Sequence, residues 1–398
     1  MDMTSKQTSE SNSTKPNILF ICTDQQHLRM MSCSGNSYLK TPAMDRLAAS
    51  GVRFTRAYCT NPVFVPSRFS LFTGRMPSAI GMRSNSGNDT IPYTEKYQKQ
   101  GLGHCLRAAG YETVYGGKEH FPQGVRATDL GFEYLCQDER DDLAAICADW
   151  LKEKHEQPFA MVASLINPHD ICYMAIKAFA TSEFDNKLLE RGATEVNTLE
   201  EALKIPSDIS EEEFWEKHCP PLPPNYDPQK DEPELIQFML DQRAFKRRAH
   251  DEWGEKEWRM HRWAYARLTE KVDQQMQVIL DALDAAGLSD NTVIIFSSDH
   301  GDHDSSHRLE HKTVFYNEAD NVPMIVCDPR SNAHGTVDEK HLVSNGMDIF
   351  PTICDYAGAE MPDHISGLSL RPIAAGETCK DWRDVVYAEN EISYMACT

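Results

Sequence analysis

Four places along the chain put ligand-type or cationic side chains directly after a short apolar run. The run at 18–22 leads into Asp24 and Gln25, that at 113–115 into Lys118 and His120, that at 160–166 into His169, and that at 293–297 into Asp299 and His300. Asp24, Gln25 and Asp299 offer oxygen ligands and His300 an imidazole, so two strand ends could close on one divalent ion from two sides. Oxygen donors suit Ca²⁺ or Mg²⁺, whereas the imidazole leans toward Mn²⁺ or Zn²⁺. Lys118, His120, His169 and, further on, Lys312 add positive charge beside such an ion. A metal ringed by cations suits an anionic, tetrahedral, oxygen-rich group such as sulfate or phosphate. A single Asp at a strand end is ordinarily a turn or cap residue. Four ends carrying complementary chemistry call for a shared site.

Such convergence requires the runs to be neighbours in one sheet. Their brevity and β-branched content predict buried parallel strands, with 323–327 as a fifth. Amphipathic stretches lie between them at 43–50, at 105–109 before Gly110, and at 142–154. A longer one runs from about Glu255 to Ala286, where Leu268, Val272, Met276, Ile279, Leu280 and Leu283 recur at helical spacing before Gly287. Alternating strands and helices predict an α/β domain of three layers with a mostly parallel central sheet. In such sheets the carboxyl ends of the strands line the ligand crevice.

The 398 residues carry 40 Lys+Arg against 61 Asp+Glu, a formal charge of −21. That excludes general binding to nucleic acid or to an anionic membrane surface, since both need a broad basic footprint. No apolar run approaches the length that spans a bilayer. Residues 1–15 are polar and Ser/Thr-rich without an apolar core, which predicts a disordered tail and, for want of an export signal, a cytoplasmic location. The 12 cysteines are scattered and never form C-x-x-C, so buried free thiols are expected rather than a disulfide framework.

One stretch is far more specific. Residues 61–75 read NPVFVPSRFSLFTGR, and Pro66, Ser67, Arg68, Leu71, Thr73, Gly74 and Arg75 match the signature of the sulfatases. In that signature Cys or Ser, any residue, Pro, a small residue and Arg precede Leu-x-Thr-Gly-Arg. Further matches follow in family order: Pro16 to Leu19 leading into Asp24, Thr41 to Ala48, Gly51 to Phe54, and Gly110 to Thr113 before Lys118 and His120. Asn167 to His169, Ser298 to Gly301, Lys312, Val322-Pro323 and Asp348 to Thr352 complete the set. Over residues 16–376 the chain resembles the formylglycine-dependent, arylsulfatase-like sulfatases of the alkaline phosphatase superfamily.

The resemblance implies a mechanism. The first signature residue is oxidised after translation to formylglycine, whose hydrate attacks sulfur in line; the alcohol leaves, and the second hydroxyl expels sulfate by re-forming the aldehyde. It implies Asp24, Gln25, Asp299 and His300 as ligands of one divalent metal, usually Ca²⁺, with Mg²⁺ or Mn²⁺ as alternatives. It makes Arg68 the residue that orients the hydrate and gives Lys118 and Lys312 the sulfate oxygens. His120 and His169 take the proton transfers, in either order. The implied substrate is a small sulfated carbohydrate, alcohol or aryl ester. A hydrolase of phosphonates or phosphodiesters on the same fold, and a pseudoenzyme that binds sulfated ligands, are the rival readings.

Three departures stand out. Gln25 replaces the second Asp of the family's Asp-Asp pair, so it would ligate without charge. Position 64, the nucleophile, is Phe64. A phenyl ring cannot be oxidised to the aldehyde, ligate a metal or attack sulfur, so formylglycine and its generating enzyme are relevant only to a Cys or Ser form. The chain as written is therefore expected to be impaired. Finally, residues 377–398 hold only the start of the family's small C-terminal subdomain, which is expected to be largely missing, with exposed apolar surface in its place.

Residues 171–262 read as an insertion at the mouth of the site, irregular around the prolines of 219–233. Trp253, Trp258 and Trp263 could stack on a sugar or aryl ring, or Trp258 and Trp263 could anchor the start of the long helix. Lys246-Arg247-Arg248 reads as a solvated face, and His303, His307 and His311 as loop histidines near the anion. Oligomeric state is not legible.

Overall fold

The computed structural model describes residues 15–82, 85 and 97–391, so the polar tail expected at 1–15 lies, but for Lys15, outside the described residues. Among the described residues ten strands are formed: β1 Asn17–Asp24, β2 Val52–Phe54, β3 Ala57–Tyr58, β4 Glu112–Gly117, β5 Glu133–Cys136, β6 Phe159–Pro168, β7 Thr292–Ser298, β8 Met324–Cys327, β9 Thr336–Asp338 and β10 Val343–Ser344. Eight of them make one sheet in the order β5-β4-β6-β1-β7-β8-β2-β9, and β10 pairs with β3 apart from it.

The central strands β4, β6, β1 and β7 are mutually parallel, with Phe20 of β1 opposite Val162 on one side and Ile295 on the other. Every residue of β1, β6 and β7 is buried, as continuous apolar runs covered on both faces require. Side chains alternate across β1. Ile18, Phe20 and Cys22 join Phe69, Phe72, Ile349 and Phe350 in one core layer, while Leu19 and Ile21 join Leu47, Leu143, Met276 and Leu280 in the other. This is the expected α/β sandwich of three layers with a mostly parallel sheet.

The run at 323–327 breaks one expectation. β8 is antiparallel to both β7 and β2, not parallel. Between β7 and β8 the longest helix is the four residues Asn317–Asp320, so no helical crossover returns the chain to a parallel start.

The insertion is more helical than its punctuation suggests. Helices Tyr173–Phe179, Glu183–Arg191, Ala193–Ala202, Glu234–Asp241 and Ala244–Glu252 surround an irregular stretch near Asn225. Asn225 ties that stretch to the loop after β7: its carbonyl accepts from His307 N at 2.8 Å and its side chain from Ser306 Oγ at 3.0 Å. Trp253, Trp258 and Trp263 are buried, Trp258 completely, so they anchor the helix Glu255–Ala285 and have no face left for a sugar. Eleven cysteines are free thiols among the described residues. After residue 377 the chain runs back over the domain, with Arg383 paired to Asp348 at 2.7 Å and Trp382 Nε1 donating to Leu342 O.

Candidate active site

Because β4, β6, β1 and β7 are adjacent and parallel, their carboxyl ends deliver Lys118 and His120, His169, Asp24 and Gln25, and Asp299 and His300 to one edge. Local turns aim them. Gly117 has φ 94°, and a Cβ there would stand 2.2 Å from Ser164 O, so only glycine lets Lys118 N reach that carbonyl at 2.9 Å. Gln25 adopts φ 67° without being glycine; its backbone N donates to Asp299 Oδ1 at 3.1 Å, joining the ends of β1 and β7.

Asp24, Asp299 and His300 offer ligand atoms within 4.8 Å of one another, all buried. His300 Nδ1 lies 2.9 Å from Gly301 O, which places the ring proton on Nδ1. The Nε2 lone pair then faces Asp24 Oδ1 at 3.9 Å and Asp299 Oδ1 at 3.7 Å. Burial lowers the His300 pKa to about 4, against the pull of Asp299, so the ring is a neutral donor. Asp24 Oδ1 and His300 Nε2 are buried without hydrogen-bond partners. Orphaned acceptors of this kind are costly, and a divalent cation satisfies both. The residues fit such an ion; they do not choose among Ca²⁺, Mg²⁺ and Mn²⁺.

The carboxylates are also clamped from behind. Arg68, wholly buried, donates Nε to Asp299 Oδ2 at 2.8 Å and Nη1 to Ser164 Oγ at 2.7 Å and Lys118 O at 3.1 Å, while Nη2 stands 3.4 Å from Asp24 Oδ2. Lys118 Nζ is 2.5 Å from Asp24 Oδ2. Burial pushes the Asp24 carboxyl up, but Lys118, helped by Lys312 and Arg68, outweighs it and holds the group well below the usual range. Gln25 turns its side chain the other way. Its amide oxygen accepts from Lys312 Nζ at 2.6 Å and from the Cys172 thiol, and its NH₂ donates to Asp302 Oδ2 at 2.6 Å.

Phe64 opens the helix Phe64–Thr73, and its half-buried ring stands in the middle of this constellation. Its centroid is 4.7 Å from that of His120, 6.3 Å from His169 and 6.5 Å from His300. Lys312 Nζ lies 4.8 Å and Lys118 Nζ 5.4 Å from the same centroid, within cation–π range. Burial, followed by the field of Lys118, lowers the pKa of both His169 and His120, so both imidazoles are neutral. Neither nearby nucleophile stands in for Phe64: Ser67 Oγ donates to Asp299 O at 2.5 Å, and Cys59 is buried with its thiol pKa raised by loss of solvent.

Several participants escape a reading by motif. Ser164, inside β6, accepts from Arg68 and donates to Lys118 O at 2.7 Å, bracing both cations. Asp302 holds Gln25. Lys246 departs from the solvated face of its neighbours: Arg247 and Arg248 pair with Asp241 and Glu252, whereas loss of solvent lowers Lys246 to about 8, with Lys312 adding to the effect. His303 and His307 are buried against Tyr316 at ring distances of 5.9 and 4.1 Å, and so serve packing rather than an open loop.

Comparison with known proteins accords with this geometry. The family model "Sulfatase" matches residues 16–359. A Delta 4,5-hexuronate-2-O-sulfatase of Bacteroides thetaiotaomicron is 29% identical over 96% of this chain and 77% of its own length. A solved 2-O GAG sulfatase superposes with a TM-score of 0.76 at 26% identity, over 95% of this chain and 79% of that one. A phosphonate monoester hydrolase of Agrobacterium radiobacter shares the fold, with a TM-score of 0.71 at 21% identity over 95% of this chain and 81% of its own. A family match over most of the chain, laid on a carboxylate and imidazole cluster at the strand ends with an Arg and two Lys around it, makes this chain a member of the sulfatase family of sulfuric ester hydrolases, within the alkaline phosphatase-like superfamily.

Proposed function

We propose that this protein is built to act on the sulfate ester of a carbohydrate and that, with Phe64 in the nucleophile's place, it does not complete the reaction. The observation that carries the proposal is the position of the Phe64 ring, ringed by Lys118, Lys312, His120, His169 and His300. These are the groups that would receive a sulfate and move its protons. Two relatives whose names specify sulfated sugars support the carbohydrate over an aryl ester.

Asp24, Asp299 and His300 would hold the divalent metal, with Gln25 beside them. When bound, the ion draws negative charge from the sulfate oxygens. Arg68 and Lys118 balance the two carboxylates, so the ion's own charge would remain for an anion to neutralise. Lys118 and Lys312 would bind the non-bridging oxygens and steady the charge that builds there. His120 and His169, neutral in the resting site, are placed to accept one proton and to pass one to the departing sugar oxygen. The step that fails is attack on sulfur, because a phenyl ring has no lone pair to offer.

A second reading, a binder of sulfated glycans without turnover, rests on the same residue. Co-expression of Phe64→Cys with a formylglycine-generating enzyme tests both. Hydrolysis of 4-nitrophenyl sulfate by the matured variant, in excess over 4-nitrophenyl phosphonate esters and absent from the native chain, supports the proposal. Equal turnover by the native chain refutes it, and no turnover by the matured variant supports the binder.

A further inference from the structure

Beside His120 the surface opens into a cleft of about 660 Å³ whose polar lining is Glu119, His120, Gln123, Arg126, Gln137 and Glu139. The cleft is contiguous with the site, because His120 lines it and packs on Phe64 at 4.7 Å. Two loops build it, one following β4 and one following β5. The volume is that of a small-molecule site rather than a surface dimple.

Its chemistry is selective. Glu119 is fixed, its Oε1 accepting from Ala127 N at 2.6 Å and from the Tyr134 hydroxyl. Its other oxygen stands 3.3 Å from Nη1 of the largely exposed Arg126, so the cleft's one arginine already faces a carboxylate. Gln123 and Gln137, which are solvent-exposed, and the part-buried Glu139 make no side-chain hydrogen bond among the described residues. Loss of solvent raises the Glu139 carboxyl, with Lys118 foremost among the cations opposing it, which marks a carboxylate facing inward rather than into bulk water. The aromatic in the lining, Phe121, is only 8% exposed and offers no ring face.

Resting on the reading of the site as one for a carbohydrate sulfate, we infer that this cleft holds a neutral, hydroxyl-bearing sugar unit beside the sulfate position, with Gln123, Gln137 and Glu139 as its hydrogen-bonding groups. Two carboxylates against one paired arginine repel a second sulfate or a uronate carboxylate. The absence of an open aromatic face in the lining disfavours an aryl group. The inference thus narrows the substrate to an ester on a sugar whose neighbouring unit carries no charge.

The native Phe64 chain can be tested directly, since the cleft lies beside the ring. The probes are the methyl β-glycosides of glucose, galactose and N-acetylglucosamine, with fully sulfated heparin disaccharide as the anionic comparator, each titrated by calorimetry at low and high salt. The expected result is saturable, salt-insensitive binding of at least one neutral glycoside. The double variant Gln137→Ala with Glu139→Gln should weaken it by about tenfold, the effect of one or two lost hydrogen bonds. Binding only of the disaccharide, lost at high salt, overturns the inference, as does a neutral glycoside whose affinity the double variant leaves intact. In the matured Phe64→Cys form the same double variant should lower kcat/KM for a sugar sulfate relative to 4-nitrophenyl sulfate by a similar factor. Equal losses on both substrates contradict the cleft's role. A matured form with no activity at all counts against the proposed function instead, and the calorimetry still decides the cleft.

Discussion

Lys312 Nζ stands 4.8 Å from the centroid of the Phe64 ring while donating a 2.6 Å hydrogen bond to Gln25 Oε1. One ammonium is thus shared between the ring at position 64 and an amide beside the cluster of Asp24, Asp299 and His300. A cation–π contact is worth about 0.5–2 kcal/mol, enough to hold a lysine in place but far less than an anion offers two lysines.

The ring and a sulfate ion therefore compete for the same cations. Phe64→Ala should create saturable sulfate binding by calorimetry, with the native chain showing none at the same concentrations. Sulfate binding of equal strength to both proteins contradicts the placement of Phe64 in the anion pocket.

The cluster at the strand ends should respond to calcium. Arg68 and Lys118 already balance Asp24 and Asp299, so the fold does not depend on the ion and the gain is modest. Calcium at millimolar concentration should raise the Tm by a few degrees. His300→Ala should remove that increment while leaving the metal-free Tm close to its own baseline. An increment retained in His300→Ala, or none in the native chain, contradicts the assignment.

Much of this site was legible in the sequence because of how parallel sheets are made. Strands covered on both faces must be continuous apolar runs, and the polar residues that follow them mark the functional edge; hence Asp24, Lys118, His169 and Asp299. Strand direction was not legible: 323–327 is as apolar as the others, and only the want of a crossover helix before it makes β8 antiparallel. β2 and β9 are three residues each, too short for any period to show. The turn of Gln25 toward Lys312 depends on a left-handed backbone that a glutamine does not announce, and Ser164 looks like any small residue in a buried strand. The helix Glu183–Arg191 was readable in principle, since Ser182 and Asp185 form a reciprocal cap.

Asp320 gives the protein a pH dependence separate from the site. Burial pushes its carboxyl up to about 8, with the Cys59 thiol 3.9 Å away as a weak donor. The folded state then binds more protons than the unfolded state between about pH 4 and pH 8, so stability falls as pH rises across that window. Asp320→Asn removes this contribution. Its Tm relative to the native chain should rise from pH 5 to pH 8 by a few degrees. A constant difference across that range contradicts a raised carboxyl.

Arg383 is the cation for a carboxylate that has no exposed surface. Asp348 accepts from Arg383 at 2.7 Å through both oxygens and from the Ser344 and Leu368 amides at 2.8 Å. Breaking a buried pair from one side leaves the other charge uncompensated, at about 3 kcal/mol or more. Arg383→Ala should lower denaturant stability by that order, and the double variant with Asp348→Asn should recover part of it. An Arg383→Ala midpoint equal to the native one shows that the returning C-terminal segment does not hold the domain.

The central claim is that Phe64 is the element that separates this chain from a working sulfatase. Sulfate released from sulfated monosaccharides, quantified by ion chromatography with calcium present, tests it most directly. The matured Phe64→Cys protein should exceed the native chain by at least about a thousandfold, the scale of losing a covalent nucleophile. Release by the native chain at a rate comparable to the matured variant contradicts the account.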